Sequence, residues 1–131
     1  MTLRELSSVY YIQKEIDLIN LKIAELEEQA EKTTPSLSDM PPSQGVSDKV
    51  GEAAAKIADY RRELEIKHAQ LTAEKNMLMN YIYTISDSQT RLIFVYRFID
   101  LMSWQHVANA VGGNNTADGV RMLVKRFLLK K

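Results

Sequence analysis

The sequence predicts an all-α protein: a long helical hairpin of coiled-coil type, followed by a C-terminal tri-helical helix-turn-helix domain. Three observations carry this. Apolar residues recur at three- and four-residue steps through the first third of the chain. A second set recurs every seven residues through the middle. Three short apolar stripes at helical spacing then close the chain. With five glycines, three prolines and 45% hydrophobic residues in 131, composition favours helix and supplies a core.

Val9, Ile12, Ile16, Ile19, Ile23, Leu26 and Ala30 step by alternating threes and fours, which is a heptad seam. Leu18 and Leu21 are expected to widen it into a face. No Gly or Pro precedes Pro35, so the first helix is expected from about Leu3 to Lys32. At 1.5 Å per residue it would be roughly 45 Å long.

"TTPSLSDMPPSQGVSD", residues 33–48, holds all three prolines, four serines and a glycine. It reads as a linker over 33–47. Ser47 is a candidate cap for a second helix from about Asp48 to Thr84. Val50, Ile57, Leu64, Leu71, Leu78 and Ile85 recur along it every seven residues. The alternate seam positions Ala53, Tyr60, Lys67, Glu74 and Tyr81 are weaker. Two such helices can fold back on each other or pair between chains, and the patchy second row predicts further contacts. A homo-oligomer is expected, with a dimer favoured. Glu25, Glu27, Glu28, Glu31, Glu63 and Glu65 fall on polar helix faces, where paired acids lack the partly desolvated cleft that catalysis needs.

Net charge is zero, but it is divided. Residues 1–86 hold 10 Lys and Arg against 14 Asp and Glu, a net of −4. Residues 87–131 hold seven (Arg91, Arg97, Arg121, Lys125, Arg126, Lys130, Lys131) against Asp87, Asp100 and Asp118, a net of +4. A basic end on an acidic body suggests a polyanionic partner. There are no cysteines, which excludes disulfides and thiolate zinc sites and fits a cytoplasmic protein. No run of about 18 apolar residues occurs, so no membrane partner is expected. The start turns charged and periodic at once, unlike a signal peptide. The chain is expected to divide into an oligomerising or partner-binding body, 1–86, and a DNA-binding domain, 87–131.

In the second part, Asp87 or Ser86 can cap a helix from about Ser88 to Asp100, with Leu92, Val95, Tyr96 and Ile99 as its expected inner stripe. Ser103 can cap "WQHVANAV", with Val107, Ala108 and Val111 inward. Val120, Leu123, Val124 and Phe127 give a third stripe. Three such helices close only around one another. Between the second and third lies "VGGNNTADGVR", 111–121. A phosphate-cradling loop there would need a preceding strand or a following Gly-Lys-Ser/Thr, and it has neither. Gly112 and Gly113 therefore turn the chain, and Asn115 or Thr116 caps the next helix. This is the helix-turn-helix arrangement.

The outer face of the third helix then carries Asp118, Arg121, Met122 and Lys125. Arginine forks onto guanine, asparagine pairs with adenine, and lysine neutralises phosphate. The base-reading candidates are Asn114, Asn115, Thr116, Asp118, Arg121, Met122 and Lys125. The phosphate candidates are Trp104 and Gln105, which begin the second helix, with Arg126, Lys130 and Lys131. No catalytic residue, metal site or cofactor is expected, since His68 and His106 have no plausible partners in sequence.

The segment "TRLIFVYRFIDLMSWQHVANAVGGNNTADGVRMLVKRFL" resembles the fourth region of bacterial sigma factors, through Tyr96, Arg97, Ser103, Val107, Ala108, Gly112, Val120 and Arg121. The whole chain resembles phage and prophage late transcription regulators of the ArpU and RinA type, in which a helical N-terminal region precedes a sigma-like domain. The resemblance implies control of phage late genes in a bacterial cytoplasm, double-stranded DNA as partner, and a helical body that dimerises or contacts RNA polymerase. One departure concerns the turn: Val120 follows Gly112 by eight residues, about two more than in the usual tight turn. Two other readings fit the same pattern. A small terminase-like packaging protein also joins a helix-turn-helix to oligomerising helices, but its usual order is reversed here. A protein–protein adaptor would keep the tri-helical unit without DNA binding.

Overall fold

The computed structural model describes residues 1–33 and 44–130, and every element among them is helical. In chain order these are α1 (Leu3–Leu6), α2 (Ser8–Thr33), α3 (Gln44–Tyr83), α4 (Ser88–Phe94), a π-helical segment (Val95–Ile99), α5 (Trp104–Val111) and α6 (Ala117–Leu129). Pro35, Pro41, Pro42 and Lys131 lie outside the described residues, as does most of the 33–47 linker. The chain forms two compact units: Met1–Gln13 with Gln70–Lys131, and Lys14–Ala69. The ends of the two long helices nearest the C-terminal domain therefore belong to its unit.

The expected first helix forms with one interruption. Thr2 and Glu5 make a reciprocal capping box on α1. The Ser7 hydroxyl then donates to the Leu3 carbonyl at 2.8 Å, competing with the backbone ladder, and α2 restarts at Ser8. α3 begins at Gln44, so Ser47 lies inside the helix and is not its N-cap.

Within the unit 14–69, Ile16, Ile19 and Ile23 are buried, which confirms the seam. Leu18 and Leu21 do not widen it: they are 54% and 53% exposed. They sit a third of a turn or more off the seam, and the facing helix covers only the narrow stripe of a two-helix contact. At Lys67, one polar position in the weak row of α3, an ion pair takes the place of an apolar contact, and a second pair forms beside the row at Arg61. The Lys67 ammonium reaches the Glu15 carboxylate at 2.8 Å, and Arg61 reaches Glu27 at 3.2 Å. Later positions on α2 thus meet earlier positions on α3, and the two helices run antiparallel.

The second unit centres on Phe94, which is fully buried. Its ring lies 5.4 Å from both Phe98 and Phe127, edge to face, and 6.4 Å from Tyr81 of α3. Leu6, Val9, Leu78, Ile82 and Ile85 bury around the same unit. The inner stripe of α4 is Ile93, Phe94 and Phe98, a correction to the expected Leu92, Val95, Tyr96 and Ile99. Leu92 is 46% exposed, and the other three are half-buried. "LIFVYRFI" is apolar almost all round, so periodicity does not select a face. The Phe94–Phe98 pair wins because two rings one turn apart fill the centre of three helices.

α4 widens into the π-helical segment, whose end is marked by the Asp100 amide donating to the Val95 carbonyl. The chain then reverses at Leu101, held in the left-handed region at φ 58°. Arg97 secures this corner by donating to the Met102 carbonyl at 2.8 Å.

Candidate nucleic-acid interface

Each short helix starts at a side-chain cap legible in the sequence. Asp87 accepts from the Thr90 amide and hydroxyl, at 2.9 and 2.7 Å. These two bonds hold its carboxyl below the usual carboxylate range; desolvation opposes them, and the Arg91 charge adds a lesser lowering. Ser103 accepts from the His106 amide at 3.2 Å, and Thr116 from the Gly119 amide at 3.0 Å. A Cβ at Gly119 would stand 3.0 Å from the Thr116 hydroxyl oxygen, a tight contact to which that side chain would have to yield by a few tenths of an ångström.

The α5–α6 turn follows the expected chemistry. Gly112 and Gly113 have φ of 82° and 68°, backbone that a side chain would strain. The Asn115 amide donates to the Gly112 carbonyl at 2.7 Å and closes the turn. Val107 and Ala108 of α5 bury, as do Val120 and Val124 of α6. Gly112 is eight residues before Val120 in sequence, yet the Asn115 bridge keeps the connection ordered.

The candidate base-reading residues divide into two sets. Asp118, Arg121, Met122 and Lys125 are exposed on α6, and Asn114 is exposed in the turn. Asn115 and Thr116 already spend a polar group on the turn and the cap. Asp118 lies 3.6 Å from Arg121, one helical turn on, and is 90% exposed, a pairing of the weak surface type.

The phosphate candidates divide as well. Arg126 and Lys130 are exposed, with Lys130 at the α6 C-cap, and Gln105 is exposed and bonds Asn109 at 3.2 Å. Trp104 is half-buried: its ring meets Phe98 edge-on at 6.5 Å and carries the Arg97 guanidinium 4.3 Å from its centre. Burial pushes Arg97 down from its usual value, with Tyr10 acting in the opposite direction. Arg91 is also committed, to the Ile85 and Ser86 carbonyls and the Ser88 hydroxyl. Two of the seven C-terminal cations therefore hold the fold, and the exposed positive charge gathers on α6.

The groove beside α6 was not foreseen. Arg121, Lys125 and Leu128 line a cavity of about 870 Å³ together with Leu3, Tyr10 and Tyr11 from the start of the chain. No local pattern reveals it, because it is assembled by residues more than a hundred positions apart. Among the described residues no cluster of metal-binding side chains occurs, and no helix is long and apolar enough to cross a membrane. Comparison of the chain with family models, with curated proteins and with solved structures finds no match.

Proposed function

We propose that the chain is a sequence-specific DNA-binding transcription regulator of the phage late-gene type. One observation carries this reading. α6 follows a glycine turn, buries Val120 and Val124 against its neighbours, and leaves Arg121, Met122 and Lys125 on its outer side. In the proposed complex this helix enters the major groove. Arg121 supplies a forked donor for a guanine edge, Lys125 and Arg126 neutralise phosphates, and Asn114 stands at the helix start where bases come closest. Asp118 would accept from a cytosine amine. The long helices provide the surface for a second copy or for RNA polymerase, and a symmetric dimer would place two such helices on half-sites about one turn of DNA apart.

The test is selection of bound duplexes from a random pool by the full chain, with Arg121→Ala in parallel. A motif enriched by the wild type and lost in the variant is the expected result. An inverted repeat within it marks a dimer. If neither protein enriches any sequence, and binding shows no dependence on salt, the regulator reading fails in favour of a protein adaptor.

A further inference from the structure

The groove beside α6 has a composition that selects its ligand. Leu6, Val124 and Leu128 give it an aliphatic floor, and Tyr10, Tyr11 and Trp104 give it aromatic sides. Leu3, Tyr10, Tyr11 and Leu129 line it and all remain substantially exposed, so the groove opens to solvent through apolar side chains. Arg97, Arg121 and Lys125 line it as well, and among the described residues no carboxylate does. A volume of about 870 Å³ falls in the range of small-ligand sites, roughly 300–1,000 Å³.

The three cations are not equivalent. Arg97 is committed to the Trp104 ring and the Met102 carbonyl, so it builds the wall. Among the described residues Arg121 has only the loose Asp118 ion pair at 3.6 Å, and Lys125 forms none. Two adjacent cations at the rim of an aliphatic trough call for an anionic head on an apolar tail.

We propose that this groove binds an acyl-chain carboxylate, with the chain along Leu6, Val124 and Leu128 and the carboxylate on Arg121 and Lys125. Ligand binding stands independently of the DNA reading. Its consequence rests on that reading: the same two cations cannot serve the carboxylate and a duplex together, so the ligand releases DNA.

Trp104 is the sole tryptophan and forms part of the groove, so its emission reports occupancy directly. The full chain is titrated with decanoate, with decanol of equal chain length as the neutral control. Saturable binding of decanoate at one equivalent is expected, tighter than decanol by about tenfold or more, the usual worth of a charge-assisted hydrogen bond. The double variant Arg121→Gln, Lys125→Gln, altered only at exposed positions, should bring decanoate down to the level of decanol and leave decanol unchanged. Equal binding of the two ligands, no binding of decanoate, or undiminished decanoate binding by the double variant would each overturn the proposal. In a separate arm, decanoate should weaken retention of a duplex. A chain that binds decanoate but no duplex at any salt would sink the DNA reading and leave the ligand site standing.

Discussion

The two compact units solve the problem of helix packing in different ways. Between residues 14 and 69, two helices bury a narrow isoleucine stripe and complete their contact with charged pairs, Lys67 on Glu15 and Arg61 on Glu27. The other unit brings several helices around one ring, Phe94, with Tyr81, Phe98 and Phe127 against it. A two-helix contact covers one stripe, so the outer residues of the seam stay wet and polar partners are tolerated. A three-helix centre is closed on all sides, and large apolar groups are favoured there. Stability should therefore concentrate in the aromatic centre, while the charged pairs chiefly fix register.

The largest loss of stability is expected from Phe94→Ala. Deleting a fully buried ring with three aromatic neighbours should cost about 3–5 kcal/mol. A denaturant titration followed by Trp104 emission would measure it. Leu18→Ala, at an exposed position of α2, should change stability by less than about 0.5 kcal/mol. Comparable losses from the two would mean that the packing centre lies elsewhere.

A smaller effect should come from the hairpin. Lys67 occupies a seam position and keeps only 20% of its side chain exposed, whereas Glu15 keeps 53%. Solvent screening at the glutamate limits what the pair contributes to about 1 kcal/mol or less. Replacing Lys67 by Leu extends the apolar row, so the thermal midpoint should stay level or rise. The cost should appear as lost register, read as a dependence of sedimentation on protein concentration that differs from that of the wild type. A drop of more than about 1 kcal/mol in Lys67→Leu would show that the charged pairs carry stability as well.

These contrasts also explain what the sequence made legible. Val9, Ile16 and Ile23 could be placed because the heptad step is a local rule, and Ser103 because a cap bonds a residue three positions away, a rule that narrowed the other two caps to Asp87 or Ser86 and to Asn115 or Thr116. Gly112 could be placed because few residues tolerate its φ. The inner face of α4 could not, since residues 92–99 are apolar on several sides and only Tyr81 and Phe127, far along the chain, decide between them. Lys67 and Glu74 looked like gaps in a row until Glu15 and Ser8 were set opposite them. Within the candidate interface, the exposed set on α6 was legible. The roles of Asn115 in the turn and of Trp104 beneath Arg97 depended on contacts that spacing does not encode.

The finest distinction concerns Asp87, whose cap lies at the junction between α3 and α4. Its carboxyl titrates below its ordinary range because the charged form accepts two hydrogen bonds from Thr90. With the folded value depressed, the stabilisation is fully present above the unfolded carboxylate pKa and is lost as pH falls through the folded one. Asp87→Asn retains a good capping oxygen but removes the titration. The two proteins should differ little at neutral pH. On the acid side, below the ordinary carboxylate range, the wild type should lose stability more steeply than the variant. Thermal midpoints across that range would show it, and parallel curves would mean that the Asp87 charge adds nothing to what a neutral cap provides.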